Sequence, residues 1–120
     1  MDRNNALIQA VWEKGIAVEG VNAALYRKDA CGAWIKRDLY NDNNNPFGWV
    51  IDHIYPQSLG GGDELENLRP LQVQNNLSKS NYYPSYIATM TAEGARNVPV
   101  RISMIVSPKL QDVLNKKYGK

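Results

Sequence analysis

Cys31 is the only cysteine of this chain and His53 its only histidine. That scarcity is the strongest constraint on the fold. No disulfide can close within the chain, and a four-ligand zinc site lacks its thiolates and imidazoles. The 120 residues, 43% of them apolar, must hold together by packing. Their number is near the commonest domain size, and residues 1–120 read as one domain. No run of 18 apolar residues exists, so no membrane-spanning helix is expected. The start, MDRNNALIQAVWEKG, lacks a basic stretch followed by a long apolar run and does not read as a secretory signal. The lone cysteine fits a reducing compartment, and the expected location is the cytoplasm.

The net charge of +2 is small, but it is unevenly spread. Residues 1–51 balance. Residues 52–92 carry Arg69 and Lys79 against Asp52, Asp63, Glu64 and Glu66. Residues 93–120 are basic. A cation site beside a phosphate-holding flank has this pattern, and so does ordinary surface scatter.

Leu7, Ile8, Val11 and Trp12 fall on one helical face, and Gly15 follows as a stop, which predicts a helix over residues 5–14. YRKDACGAWIKRDLY predicts a hairpin turning at KDACG, with AWIKRDLY as the second strand. NDNNNPFG is a loop. A strand is expected over 49–54, a Gly-rich loop over 55–66, a second strand over 67–73 and a short helix over 75–81. Pro70 suggests an edge or irregular strand. Asp63 and Glu66 have the spacing of a helix cap. Residues 96–106 alternate as a strand. SPKLQDVLNKKYG predicts a helix capped by Ser107 and stopped at Gly119, with Leu110, Val113 and Leu114 on its apolar face.

The chemistry concentrates at Asp52-His53. Neighbouring strand residues face opposite sides, but at a strand end they can address one site from two angles. A carboxylate is a hard ligand for Mg²⁺, Mn²⁺ or Ca²⁺, and a neutral imidazole is the natural base near neutral pH. One histidine suffices for a base and is too few for a histidine-built metal site. Asn67 and Asn76 follow, then Lys79. The tokens Asp52-His53-Ile54, Pro56, Ser58, Gly60-Gly61, Asp63, Asn67-Leu68, Leu71, Asn76 and Lys79 resemble the HNH endonuclease family, the ββα-metal or His-Me finger nucleases. The spacing also resembles the HNH domain of RNA-guided DNA nucleases, whose third letter is likewise Asn. The resemblance covers about residues 48–81. YRKDACGAWI resembles the lead-in strands of small bacterial HNH proteins more weakly, and 82–120 resembles nothing recognised.

The resemblance implies an α+β fold: a ββα-metal core, a flanking N-terminal helix and a C-terminal strand and helix. It implies a divalent-metal-dependent endonuclease that hydrolyses DNA phosphodiester bonds. His53 would be the general base, and Asn67 would fix the loop and orient it. Asp52 and Asn76 would hold one divalent cation, Mg²⁺ first and Mn²⁺ second. Lys79 and Arg69 would sit at the phosphates. Family members that carry a structural zinc use paired cysteines, which are missing here, so no zinc is expected; packing by Trp12, Trp34, Trp49 and the C-terminal elements takes its place. The expected partner is double-stranded DNA, with no membrane, and with a homodimer or larger nuclease assembly left open. Arg27, Lys28, Lys36 and Arg37 have two readings, the wall of a DNA groove or solvated strand faces, the second slightly favoured. Cys31 reads as a small buried filler. The alternative function is a non-catalytic nucleic-acid-binding module that retains the HNH fold.

Overall fold

The computed structural model describes residues 5–119. The reading of the first four residues, and the charge of Lys120, lie outside the described residues. The described residues form three α-helices and three two-stranded antiparallel sheets, an α+β arrangement. Helix α1 (Asn5–Trp12) leads into the hairpin β1 (Tyr26–Lys28) and β2 (Trp34–Lys36). Strands β3 (Trp49–His53) and β4 (Leu68–Gln72) form the second sheet, followed at once by α2 (Val73–Lys79). The hairpin β5 (Ser85–Glu93) and β6 (Arg96–Ile105) and the helix α3 (Pro108–Tyr118) complete it. None of the described helices is long and apolar enough to cross a membrane.

Sheet β3–β4 separates two apolar clusters. Leu68 and Leu71 are an odd step apart on β4, so they face opposite sides. Leu68 joins Ile8, Val11, Trp12, Ile35 and Trp49. Leu71 joins Cys31, Ile54, Tyr86, Ala88, Val106 and Leu114. Trp12 and Trp49 are wholly buried, with ring centroids 5.3 Å apart. Full burial of a large apolar side chain contributes about 1.5–3 kcal/mol, so these two anchor α1. Trp34 is different: it is half-buried at the surface, so only two of the three expected tryptophans serve the core.

Several elements differ from expectation for local reasons. The second hairpin strand stops at Lys36, because Arg37–Leu39 tighten into a 3₁₀ turn. Helix α2 starts two residues early, because the Gln72 side chain accepts from the N–H groups of Gln74 and Asn75 and caps it there. The Asp63 cap does not form. The short turn Leu65–Asn67 follows Glu64 without a side-chain cap. Strand β5 was not foreseen; it turns into β6 through Gly94, at φ 62°. Ser107 Oγ caps α3 as expected, accepting from Leu110 N–H at 3.3 Å, but Val113 faces outward, 41% exposed.

A polar anchor ties the hairpin to the β4–α2 junction. Asp29 Oδ1 accepts from the Cys31 and Ala33 N–H groups, each at 2.9 Å. Its Oδ2 accepts from Gln72 N–H at 2.9 Å and from Asn75 Nδ2 at 3.1 Å. Burial pushes this carboxyl above the usual carboxylate range, while the four donors pull the other way.

Candidate active site

The register of β3 on β4 sets Asp52 opposite Arg69 and His53 opposite Leu68. Directly opposed side chains on one face interact, and Arg69 Nε donates to Asp52 Oδ2 at 2.9 Å. Asn76 and Lys79 are three residues apart on α2 and share a face. Both turn to Asp52. Asn76 Nδ2 lies 3.3 Å from Oδ1 and Lys79 Nζ 3.4 Å from it. Asp52 is 3% exposed and the Lys79 side chain not at all. Lys79 also donates to the His53 carbonyl at 3.1 Å. Burial pulls the Lys79 ammonium below its ordinary value, against the opposing pull of Asp52. Arg69 and Lys79, expected near phosphates, are therefore turned inward onto Asp52 in this structure.

His53 ends β3 and leaves the Asp52 side of the sheet. Its Nε2 meets Asp63 Oδ1 at 2.7 Å. Asp63 was a motif token and a proposed cap in the sequence, not a partner for His53. What brings it back is loop closure. Gly60 takes φ +103°, and a Cβ at Gly61 would stand 1.8 Å from the Tyr55 carbonyl oxygen, so only glycine lets the loop fold so tightly. Asn67 clamps the same loop from inside. Its Oδ1 accepts from Tyr55 N–H at 2.7 Å, and its Nδ2 donates to the carbonyls of Tyr55 and Gly62 at 3.0 and 2.9 Å. None of these bonds goes to His53. Asn67 instead holds Tyr55, two residues after His53, and Gly62, one residue before Asp63.

Helix α3 braces the loop from outside. The Tyr118 hydroxyl donates to Glu64 Oε1. Lys117 pairs with Glu66 at 3.0 Å, and the Tyr55 and Tyr118 rings lie 5.4 Å apart. The Asp52 and His53 sides meet in an open polar cleft of about 280 Å³. Asp52, His53, Gln57, Ser58, Asn76 and Asn81 are among its walls. The strand end thus does bring both side chains to one space.

A divalent cation suits one corner of this cleft. A half-turn of the Asn76 amide sets its oxygen where Nδ2 stands, 3.3 Å from Asp52 Oδ1. Neighbouring ligands around an octahedral ion with bonds of ~2.1 Å are about 3.0 Å apart, so the pair fits without backbone movement. Among the described residues no three His, Cys, Asp or Glu gather closely enough to hold a metal. One carboxylate and one amide leave most of the coordination shell to water and substrate, a habit of Mg²⁺.

Residues 38–85 match the family model described as HNH endonuclease. The match covers 48 of the 120 residues, and this segment is similar to the HNH family. The HNH segment takes in β3, the Gly-rich loop, β4 and α2, and so carries every residue of the cleft. It marks the chain as nuclease- or nucleic-acid-related, in a family that generally uses a divalent metal. No curated protein and no solved structure matches the chain.

Proposed function

We propose that the chain is a divalent-metal-dependent endonuclease acting on DNA, with β3, β4 and α2 as a ββα-metal core. The observation that supports it most is the convergence of Asp52, Asn76 and His53 on one polar cleft. Asp52 and Asn76 would hold the cation, Mg²⁺ or Mn²⁺, which would supply stabilisation of the charge that grows on the phosphate and leaving oxygen. His53 takes the proton from the attacking water. Asp63, on the ring's Nε2, fixes the ring's orientation, and Asn67 keeps Asp63 there by clamping Gly62. Lys79 and Arg69 hold Asp52 in the absence of substrate. To reach phosphate they would have to leave that carboxylate.

The test is nicking of supercoiled plasmid by the full chain with Mg²⁺ or Mn²⁺ against EDTA. His53→Ala should slow nicking by about 10²–10⁴-fold, the range for a lost general base, with Mn²⁺ binding retained in calorimetry. Equal loss of Mn²⁺ by His53→Ala and Asp52→Ala would overturn the base assignment. One observation favours the second reading, a non-catalytic nucleic-acid-binding module: Asp52 is already neutralised by two cations. Plasmid retardation without nicking at any metal concentration would establish that reading.

A further inference from the structure

The hairpin β1–β2 carries an apolar cleft that the HNH site does not use. It measures about 280 Å³ and is lined by Val21, Tyr26, Trp34, Phe47 and Ala95. Beyond Tyr26 and Phe47 the depression continues into a second one of about 400 Å³, where Lys36 and Pro46 join the wall. Trp34 is fixed before any ligand arrives. Its Nε1 donates to the Gly94 carbonyl at 2.7 Å, and Asn97 brackets its backbone at 2.7 and 2.9 Å. The Tyr26 and Phe47 rings meet edge-on, with centroids 6.2 Å apart.

Cations stand over these rings. Lys28 Nζ is 5.0 Å from the Trp34 centroid, and Lys36 Nζ is 5.9 Å from that of Tyr26. The carboxylate paired with Lys36, Asp38, is exposed and 3.8 Å away. Lys36 lines the second depression and Lys28 lines neither, so ammonium groups over ring faces lie next to an apolar groove, a combination that suits a ligand that is flat, stackable and anionic at once. Unpaired nucleotides have that chemistry: bases stack on aromatic rings while lysines follow the phosphates. A proline-rich peptide would use the rings but give the lysines nothing to neutralise.

We propose that this groove binds a single-stranded segment of nucleic acid, its bases against Trp34, Tyr26 and Phe47 and its phosphates at Lys28 and Lys36. The proposal rests on the nucleic-acid reading for its ligand class and not on cleavage. Phe47 lies two residues before β3, and His53 ends that strand. The five residues of that strand cover about 13 Å.

The full chain titrated in EDTA with an eight-residue oligothymidylate tests this. Trp12 and Trp49 are wholly buried, so emission quenching reports on Trp34. Saturable quenching is expected. Phe47→Ala should weaken binding about fivefold or more, the scale of one lost stacking contact. Lys28→Gln and Lys36→Gln should each weaken it and flatten its salt dependence, with a slope change of about 0.7 per lost phosphate contact. These two rim variants carry the test if thermal melting shows Phe47→Ala misfolded. His53→Ala should bind as the wild type does. Absence of quenching, equal quenching by polyglutamate, or quenching by a proline-rich decapeptide alone would each overturn the proposal. Nicking without groove binding would sink it and leave the nuclease reading standing. Groove binding without nicking would do the reverse.

Discussion

Asp29 and Asp52 are buried to nearly the same depth, 1% and 3% exposed, yet their surroundings are built on different principles. Asp29 is held by four neutral N–H donors, three of them backbone. Asp52 is held by side chains alone, two of them cationic. Backbone donors are fixed by the fold and leave a carboxylate nothing to exchange. Side-chain donors can rotate away and let an ion take their place. The buried polar inventory points the same way. Among the described residues the one buried side-chain nitrogen or oxygen without a hydrogen bond is Arg69 Nη2, beside Asp52. An unsatisfied group is costly, and such costs are tolerated where a site must change partners. The Asp29 region is a fastening, and on the proposed function the Asp52 region is a socket.

The sharpest way to break this contrast is to neutralise the socket. Asp52→Asn should abolish nicking and Mn²⁺ binding. It also leaves Arg69 and Lys79 buried without their counter-charge, so stability should fall, and adding Lys79→Met should restore part of it without restoring activity. Failure of the second substitution to recover any melting temperature would mean that Lys79 does not depend on Asp52. Asp29→Ala comes next. It orphans donors on three elements, and each buried unsatisfied group costs about 1–3 kcal/mol. A fall in melting temperature of about 10 °C or more is expected, with residual nicking by whatever fraction stays folded. A drop of only a degree or two would demote Asp29 from fastening to bystander.

A pH series sharpens the same contrast at smaller amplitude. The carboxyl of Asp29 titrates higher in the folded protein than the ordinary 3.8, so the folded state holds that proton more tightly than the unfolded chain does. Its contribution is therefore complete below the ordinary carboxylate value and is lost as pH rises through the raised one. Urea midpoints of wild type minus Asp29→Ala should shrink over that rise. A difference that grows with pH would reverse the sign assigned here. The smallest effect concerns Cys31, beside the same fastening. Burial first, and the Asp29 charge second, push its thiol up to about 12. Native protein at pH 8 should react with iodoacetamide only as fast as it opens. Alkylation at the rate of a free thiol, read by mass spectrometry, would show the hairpin turn to be loose.

The ends of α3 and the strand–loop–strand–helix order were legible because they are local. Ser107 and Gly119 punctuate α3 through backbone chemistry, whereas α1 ends at Trp12, three residues before Gly15, and Asp52-His53 sits where an apolar run gives way to turn residues. What sequence did not show is what depends on register and loop closure. Arg69 meets Asp52 because residue 52 pairs with residue 69, a fact no single strand contains. Asp63 reaches His53 because Gly60 and Gly61 fold the loop back on itself. Its spacing to Glu66 suggested a cap, and the tertiary contact won. Strand β5 escaped notice although SYIATMTAE is β-favouring, because Gly94 gave the only turn signal between it and β6. In the sequence Asp29 is merely part of a turn, but its second oxygen works 43 residues away, at Gln72.

The clasp of α3 on the Gly-rich loop has a consequence in time. Glu64 and Tyr118 are 54 residues apart in the chain. At roughly 5–20 residues per second, a ribosome adds Tyr118 some seconds after Glu64. During that interval β3, β4 and α2 can already pair, while the loop that carries Asp63 still lacks its outer brace. The growing polypeptide can therefore bring Asp52 and Asn76 together before the loop beside His53 is settled, and the outer brace comes only as α3 docks.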